Sequence, residues 1–166
     1  MSLQVAIDKS LEITDEFWQV EFGGNVATRE ETQVLIRLVR ETKAKHLIFF
    51  DNVCQRLDLH DRKVFRKVAA YVFDKNVVNW GRVVSLFCFA RTLVEHGRKK
   101  RIPHLETDVK NCLKRELRIR MQILHTECGS WDGFLTNFGG KFPWWSRWLF
   151  TFFYEIQKHV STFYSQ

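Results

Sequence analysis

The most informative part of the chain is residues 78–90, which read Val78-Asn79-Trp80-Gly81-Arg82-Val83-Val84-Ser85-Leu86-Phe87-Cys88-Phe89-Ala90. Asn79 is a residue type that often caps helices, because its side-chain oxygen accepts a backbone N–H that otherwise lacks a partner. Residues 83–90 contain one polar side chain, so a helix that starts after Asn79 has almost no polar face that could be exposed to solvent. The stretch therefore predicts a buried helix at the centre of the fold.

Further helices are predicted on both sides of this stretch, because apolar residues recur there at helical spacing and no run alternates like a strand. Thr28 and Glu31 match a capping box, and Ser130 is placed to cap a short helix. Pro143 fits the first turn of the last helix. We predict an all-α bundle of about eight helices around a central hydrophobic one, with the other apolar stripes in residues 3–22, 28–57 (one long helix, or two with a bend), 64–72, 109–124, 130–138 and 143–156.

Length and composition describe one domain over residues 1–166. A chain of this size buries roughly 70% of its unfolded surface, so it needs no disulfide or metal to fold. None of the four cysteines forms a CxxC pair, and the amino terminus lacks a signal-peptide pattern, so we expect an intracellular, reducing environment. His125 and Cys128 have a ligand-like separation but lack two further ligands, so no metal is expected.

The net charge of +7 is concentrated in residues 91–120, where ten Lys or Arg face four acids. Such a segment could attract nucleic acid, an acidic partner or an anionic membrane, although a solvated loop and helix face would look the same. Of these partners nucleic acid is the least expected. Nucleotide-binding, metalloprotease and hydrolase motifs are absent from the sequence, so we predict no enzyme activity and no cofactor.

Arg82 is unusual because it falls in the first turn of a buried helix, where the positive end of the helix dipole disfavours a cation. A carboxylate from a partner would stabilise the cation in this position, because a guanidinium donates forked, charge-assisted hydrogen bonds to a carboxylate. Gly81 would let the partner's backbone approach closely. The alternative is a structural helix start in which Arg82 pairs with an internal acid.

Two short motifs carry a resemblance to a known family. Asn79-Trp80-Gly81-Arg82 resembles the signature of the first homology region of the Bcl (B-cell lymphoma two) family of apoptosis regulators. Gly129-Ser130-Trp131-Asp132-Gly133-Phe134 resembles the second region, at the right distance downstream. The chain resembles the family over roughly residues 3–156, and Phe142-Pro143 after the second motif is similar to the Bcl-B branch.

The resemblance implies a hydrophobic surface groove that accepts an amphipathic helix, the third homology (BH) region of a pro-apoptotic relative. That helix inserts four apolar side chains and one aspartate. Arg82 would pair with the aspartate, and Asn79 and Gly81 would line its entry. For the apolar groove residues, ordinary core packing is the alternative. The resemblance places the groove at His46, Phe49, Phe50, Val53, Leu57, Val68, Val72, Val84, Phe89 and Phe138.

One departure from the family pattern bears on the direction of the function, that is, on whether the protein prevents or promotes cell death. Where some members carry a small residue and an aspartate in their own third region, this chain has Val39 and Arg40. A helix with Arg40 facing Arg82 of a sister molecule would be repelled. We therefore predict a pro-survival receptor of such helices, whether they come from death-ligand-only proteins or pore-forming effectors. The alternative is a pro-apoptotic, membrane-acting effector.

The aromatic segment of residues 142–166 is predicted to form a helix. It is too short and too charged to span a membrane. A helix of this kind packs on the protein body or makes peripheral contact with a membrane, where tryptophans are favoured. The expected location is the cytoplasm, the mitochondrial outer membrane surface, or both.

Overall fold

The computed structural model describes residues 1–140, so the helix predicted for residues 142–166 lies outside the described part. Within residues 1–140 there are seven α-helices, one short 3₁₀ turn and no strand, which confirms the all-α prediction. The predicted total of about eight includes a helix in residues 143–156, outside the described part, and residues 28–57 form two helices, which is one of the two predicted alternatives. The helices are α1 (Leu3–Gly23), α2 (Glu30–Lys45), α3 (Leu47–Arg56), α4 (Val64–Val72), α5 (Trp80–Lys99), α6 (Leu105–Glu127) and α7 (Ser130–Phe138), with the 3₁₀ turn at Asp74–Asn76.

Helix α5 is the centre of the bundle, as predicted. Fourteen of its 20 residues are buried, and α2, α3, α4 and α6 all pack against it. Helix α1 packs on α2 and α6, and its Phe17 ring meets Phe87 of α5 edge-on at 4.9 Å between centroids. Burial on every side explains why the sequence of α5 lacks a polar stripe.

The start of α2 differs from the predicted capping box. The N-cap residue is Arg29, and no side chain of α2 caps the helix. Instead Glu16 of α1 accepts the backbone N–H groups of Thr28 and Arg29, each at 3.1 Å. Glu31, expected to reach back to the cap, pairs with Lys9 at 2.5 Å. The prediction was wrong because a carboxylate from a neighbouring helix replaces the local cap.

The start of α7 is also one residue away from its prediction. Ser130 is the first helical residue, and the N-cap is Gly129, with a φ of 70°. Gly133 is required nearby, since a Cβ there would lie 1.9 Å from the carbonyl oxygen of Cys128. The turn into α7 therefore depends on two glycines of the second signature motif.

Half of the ten basic residues in residues 91–120 are engaged in ion pairs inside the fold. Lys110 and Lys114 both contact Asp15 of α1, and Arg98 forms two hydrogen bonds with Glu106 across the α5–α6 turn. Arg91 and Arg120 are also paired. The others are exposed, namely Lys99, Lys100, Arg101, Arg115 and Arg118.

Candidate functional site

The first turn of α5 has the geometry predicted from its sequence. Asn79 is extended, and its side-chain oxygen accepts the backbone N–H of Arg82 at 3.0 Å. Gly81 is buried in the same turn. The predicted N-cap is therefore confirmed, and it fixes the backbone that carries Arg82.

The Arg82 side chain lies between α5 and the end of α4. Its Nη1 donates to the carbonyl oxygen of Val72 at 2.9 Å. Burial lowers the pKa of Arg82, and the nearby Asp74 carboxylate opposes that effect. A guanidinium remains protonated in proteins, so this side chain presents a fixed, partly desolvated positive charge.

The residues predicted to form the groove come from α3 and its two flanking residues, His46 and Leu57, and from α4, α5 and α7. Phe49, Phe50 and Phe89 form one aromatic cluster, with centroid distances of 5.2–6.2 Å. Phe138 lies at the end of α7, where Arg37 of α2 donates to its carbonyl oxygen at 2.7 Å. His46 and Phe49 are half-buried, and the other eight are buried, namely Phe50, Val53, Leu57, Val68, Val72, Val84, Phe89 and Phe138.

Burial of these eight side chains does not separate a groove floor from an ordinary core, because both assignments predict it. In a fold where the groove floor is the outer face of the core, the two are continuous. The groove assignment therefore remains a prediction.

Two exposed apolar residues on α3 were not singled out from the sequence. Leu47 and Ile48 are 49% and 77% exposed. Leu47 belongs to the apolar stripe predicted for residues 28–57, so the sequence predicts that its side chain is buried. On a helix that is covered on one side only, four successive apolar residues cannot all face inward, and residues 47–50 form such a run. That run was the signal that could have identified them.

Helix α2 packs the apolar residues of its segment 35–40 into the bundle. Leu35, Leu38 and Val39 are buried. Arg40 pairs at 3.0 Å with Glu21, a carboxylate that is 1% exposed and that Arg91 of α5 also contacts at 3.1 Å. Arg40 thus links α2 to α1 in this structure.

The two signature motifs pack against each other. The indole rings of Trp80 and Trp131 lie 4.5 Å apart, and Trp80 Nε1 donates to the carbonyl oxygen of Ser130 at 3.1 Å. Trp131 Nε1 donates to Ser10 Oγ of α1 at 2.9 Å. These tryptophans hold α1, α5 and α7 together, which is a structural role.

In the part of the chain that the structure describes, every helix is too short or too polar to cross a lipid bilayer. The same residues contain no group of three or more His, Cys, Asp or Glu side chains that could hold a metal ion.

Comparison with known proteins identifies the family. The family model of the Bcl-2 apoptosis regulator proteins matches residues 35–131, which is more than half of the chain. Apoptosis regulator BAX of rat and of human is 40% identical over 78 residues, 47% of this chain. The match spans only 41% of the BAX chain. These relatives do not support the predicted place near the Bcl-B branch.

Solved structures show the same fold. The zebrafish pro-survival protein NRZ in complex with Bad BH3 matches with a TM-score of 0.68 at 21% identity, covering 82% of this chain and 96% of that one. Chicken BOK matches with a TM-score of 0.64 at 18% identity, covering 82% and 99%. At such identities the likeness concerns the fold, whereas the family-model match concerns the sequence itself. The chain belongs to the Bcl-2 family of apoptosis regulator proteins.

Proposed function

We propose that this chain binds the amphipathic BH3 helix, the third homology region, of pro-apoptotic relatives in a groove formed by α3, α4, α5 and the end of α7. The observation that carries the proposal is the position of Arg82. Asn79 fixes its backbone and the Val72 carbonyl oxygen accepts a hydrogen bond from its guanidinium, so a positive charge lies at a defined position at the start of α5, where the resemblance places the aspartate of the ligand. The fold match to NRZ in complex with Bad BH3 supports this proposal.

In this proposal the groove and the arginine make different contributions. Burying four apolar anchors contributes about 1.5–3 kcal/mol each. One charge-assisted hydrogen-bonded pair contributes about 1.5–3 kcal/mol in total. The groove would therefore provide most of the affinity, whereas Arg82 would fix the register and reject helices that lack the acid.

We propose a pro-survival direction for this binding. The motif that a donor of BH3 helices must expose is replaced by Val39 and Arg40. Val39 is buried, and Arg40 holds the Glu21 carboxylate of α1. Releasing α2 as a ligand would therefore break an ion pair and uncover core residues, while presenting an arginine to the Arg82 of a sister molecule. The protein would act inside the cell, in the cytoplasm or at the mitochondrial outer membrane.

The second candidate function is a pro-apoptotic effector that acts on membranes. The 40% identity to BAX over 78 residues favours it. On this alternative, BH3 peptides would trigger the chain to permeabilise lipid bilayers rather than be sequestered by it.

The experiment has two parts. A calorimetric titration with a panel of BH3 peptides should find at least one submicromolar partner, and a panel without any would contradict the groove proposal. Dye release from liposomes of mitochondrial composition then separates the two directions. We expect no release by the protein alone or with peptide, whereas spontaneous or peptide-triggered release would support the effector function.

A further inference from the structure

A second charged site lies between α4 and α6, at the opposite end of α4 from the Val72 carbonyl that anchors Arg82. It is a cleft of about 210 Å³, which is space for about seven water molecules. The proposed helix-binding groove does not use it. Its walls are formed by Arg62, Phe65, Arg66, Asp108, Asn111, Cys112 and Arg115.

The single acid of the cleft is already neutralised by one of the three arginines. Arg62 donates from Nε and Nη2 to the two oxygens of Asp108, at 2.5 and 2.9 Å. These hydrogen bonds hold the pKa of Asp108 below its usual range, so the carboxylate stays charged and bound to Arg62. A bidentate pair of this kind leaves little charge on either partner for a third group.

The other two arginines retain their charge. Arg66 and Arg115 are exposed, and in residues 1–140 no carboxylate lies within ion-pair distance of either. Nearby cations of α6 differ, because Lys110 and Lys114 share Asp15 and Arg120 contacts Glu116. The cleft therefore has an excess of two positive charges.

The guanidinium groups of Arg66 and Arg115 both lie close enough to Cys112, which lines the cleft, to affect its thiol electrostatically. Burial and the nearby Glu116 carboxylate raise the pKa of the Cys112 thiol to about 11, while Arg115 and Arg66 are close enough to oppose that rise electrostatically. The thiol therefore stays protonated as a weak hydrogen-bond donor. Asn111 adds an amide donor at the rim, and Phe65 supplies an apolar, buried wall.

We propose that this cleft binds a phosphate monoester, with Arg66 and Arg115 as its charged ligands. Two guanidinium forks, an amide and a thiol offer donors from several directions, which suits the three terminal oxygens of a phosphate better than the two coplanar oxygens of a carboxylate. The volume exceeds that of phosphate alone, so the group is carried on a small molecule or on a lipid headgroup. Ile119, which is 53% exposed one turn beyond Arg115, favours the lipid source.

The test uses the full chain and two probes, glycerol 3-phosphate in solution and phosphatidylcholine vesicles that contain phosphatidic acid. The variant is the double substitution Arg66→Gln and Arg115→Gln, and the matched control is Lys99→Gln with Lys100→Gln. The control removes the same charge from exposed positions at the end of α5. Thermal melting of both variants verifies that the fold is retained.

The proposal predicts that at least one probe binds, that the Arg66 and Arg115 variant weakens it by about tenfold or more, and that the lysine control changes it by less than about twofold. Bound glycerol 3-phosphate should also slow the labelling of Cys112 by a thiol reagent, measured with Cys128→Ser to isolate the signal. The probe that binds assigns the source of the phosphate. Failure of both probes, or equal weakening in the two variants, would overturn the proposal.

Discussion

At the residue scale, Asn79 and Arg82 could be predicted from sequence because their arrangement is local. A capping residue and the N–H it accepts are three positions apart, so the sequence shows both partners at once. The partners of the Arg82 guanidinium were not visible in this way. Val72 and Asp74 approach it only because α4 ends beside the start of α5.

The N-cap can be tested separately from binding. We expect Asn79→Ala to lower the free energy of unfolding by about 1 kcal/mol, because the N–H of Arg82 loses its acceptor. Asn79→Ser should retain most of that stability, since a serine oxygen can accept the same N–H. Urea unfolding of both variants gives the measurement. Equal losses in the two variants would show that the cap is not what stabilises this turn.

At the element scale, the starts of α2 and α7 both differ from the capping patterns that the local sequence predicts. Thr28 and Glu31 form a valid capping-box pattern, yet Glu16 of α1 satisfies the N–H groups instead. At α7 the left-handed Gly129 moves the helix start by one residue relative to the serine. The first outcome depends on a tertiary contact with α1, which the local sequence does not show. The second depends on the left-handed backbone at Gly129, which the serine pattern alone does not reveal.

Glu16 makes the junction of α1 and α2 sensitive to acid. Burial alone would raise the pKa of Glu16, but hydrogen bonds from Arg29 and Thr28 outweigh it and hold the pKa below the usual 4.5. A carboxyl whose pKa is lower in the folded state stabilises the fold above its unfolded pKa, and that stability is lost as the pH falls through the folded value.

Glu16→Gln should therefore be less stable than the unmodified chain at about pH 7, and the difference should shrink towards about pH 3.5. Urea unfolding at the two pH values measures the effect. Glu41→Gln, at an exposed position of α2, is the control and should change the stability by less than about 0.5 kcal/mol at either pH. A difference for Glu16→Gln that does not depend on pH would contradict the capping role.

Gly133 allows a test of the turn that leads into α7. A Cβ at this position would meet the carbonyl oxygen of Cys128 at 1.9 Å, and a backbone oxygen cannot move aside as a side chain can. We expect Gly133→Ala to cost about 1–3 kcal/mol or more in the free energy of unfolding. Gly23→Ala is the matched control, since nothing lies within 4 Å of the added Cβ and the residue ends α1. Thermal unfolding measures the stability of both variants. An equal loss of stability in Gly133→Ala and Gly23→Ala would rule out the steric role of Gly133.

At the scale of the whole molecule, the composition and the buried stretch of residues 83–90 were enough to predict an all-helical bundle and its central helix. Periodicity located the other helices because each buries one face against α5 or α6. It could not determine which apolar residues face outward, as the exposure of Leu47 and Ile48 shows. It also could not show the cleft between α4 and α6, because Arg66 and Arg115 are 49 positions apart and only the packing of the two helices brings them together.

The arrangement of the bundle also bears on the direction of the function. Helix α2 is bound on one side to α1 through Arg40 and Glu21, and its apolar residues pack on α5. A protein that donates α2 must give up these contacts, whereas one that receives a foreign helix can keep them. This asymmetry is why we favour the pro-survival proposal over the effector.

The most direct test of the account is a calorimetric titration of the tightest BH3 peptide with the unmodified chain, with Arg82→Glu and with Arg118→Glu. Arg118 is an exposed residue of α6, so its variant controls for the change in net charge. The account predicts that Arg82→Glu weakens binding by at least about tenfold, because the ligand's aspartate then faces a like charge, while Arg118→Glu stays within about twofold. Unchanged affinity in a correctly folded Arg82→Glu variant would contradict the central claim.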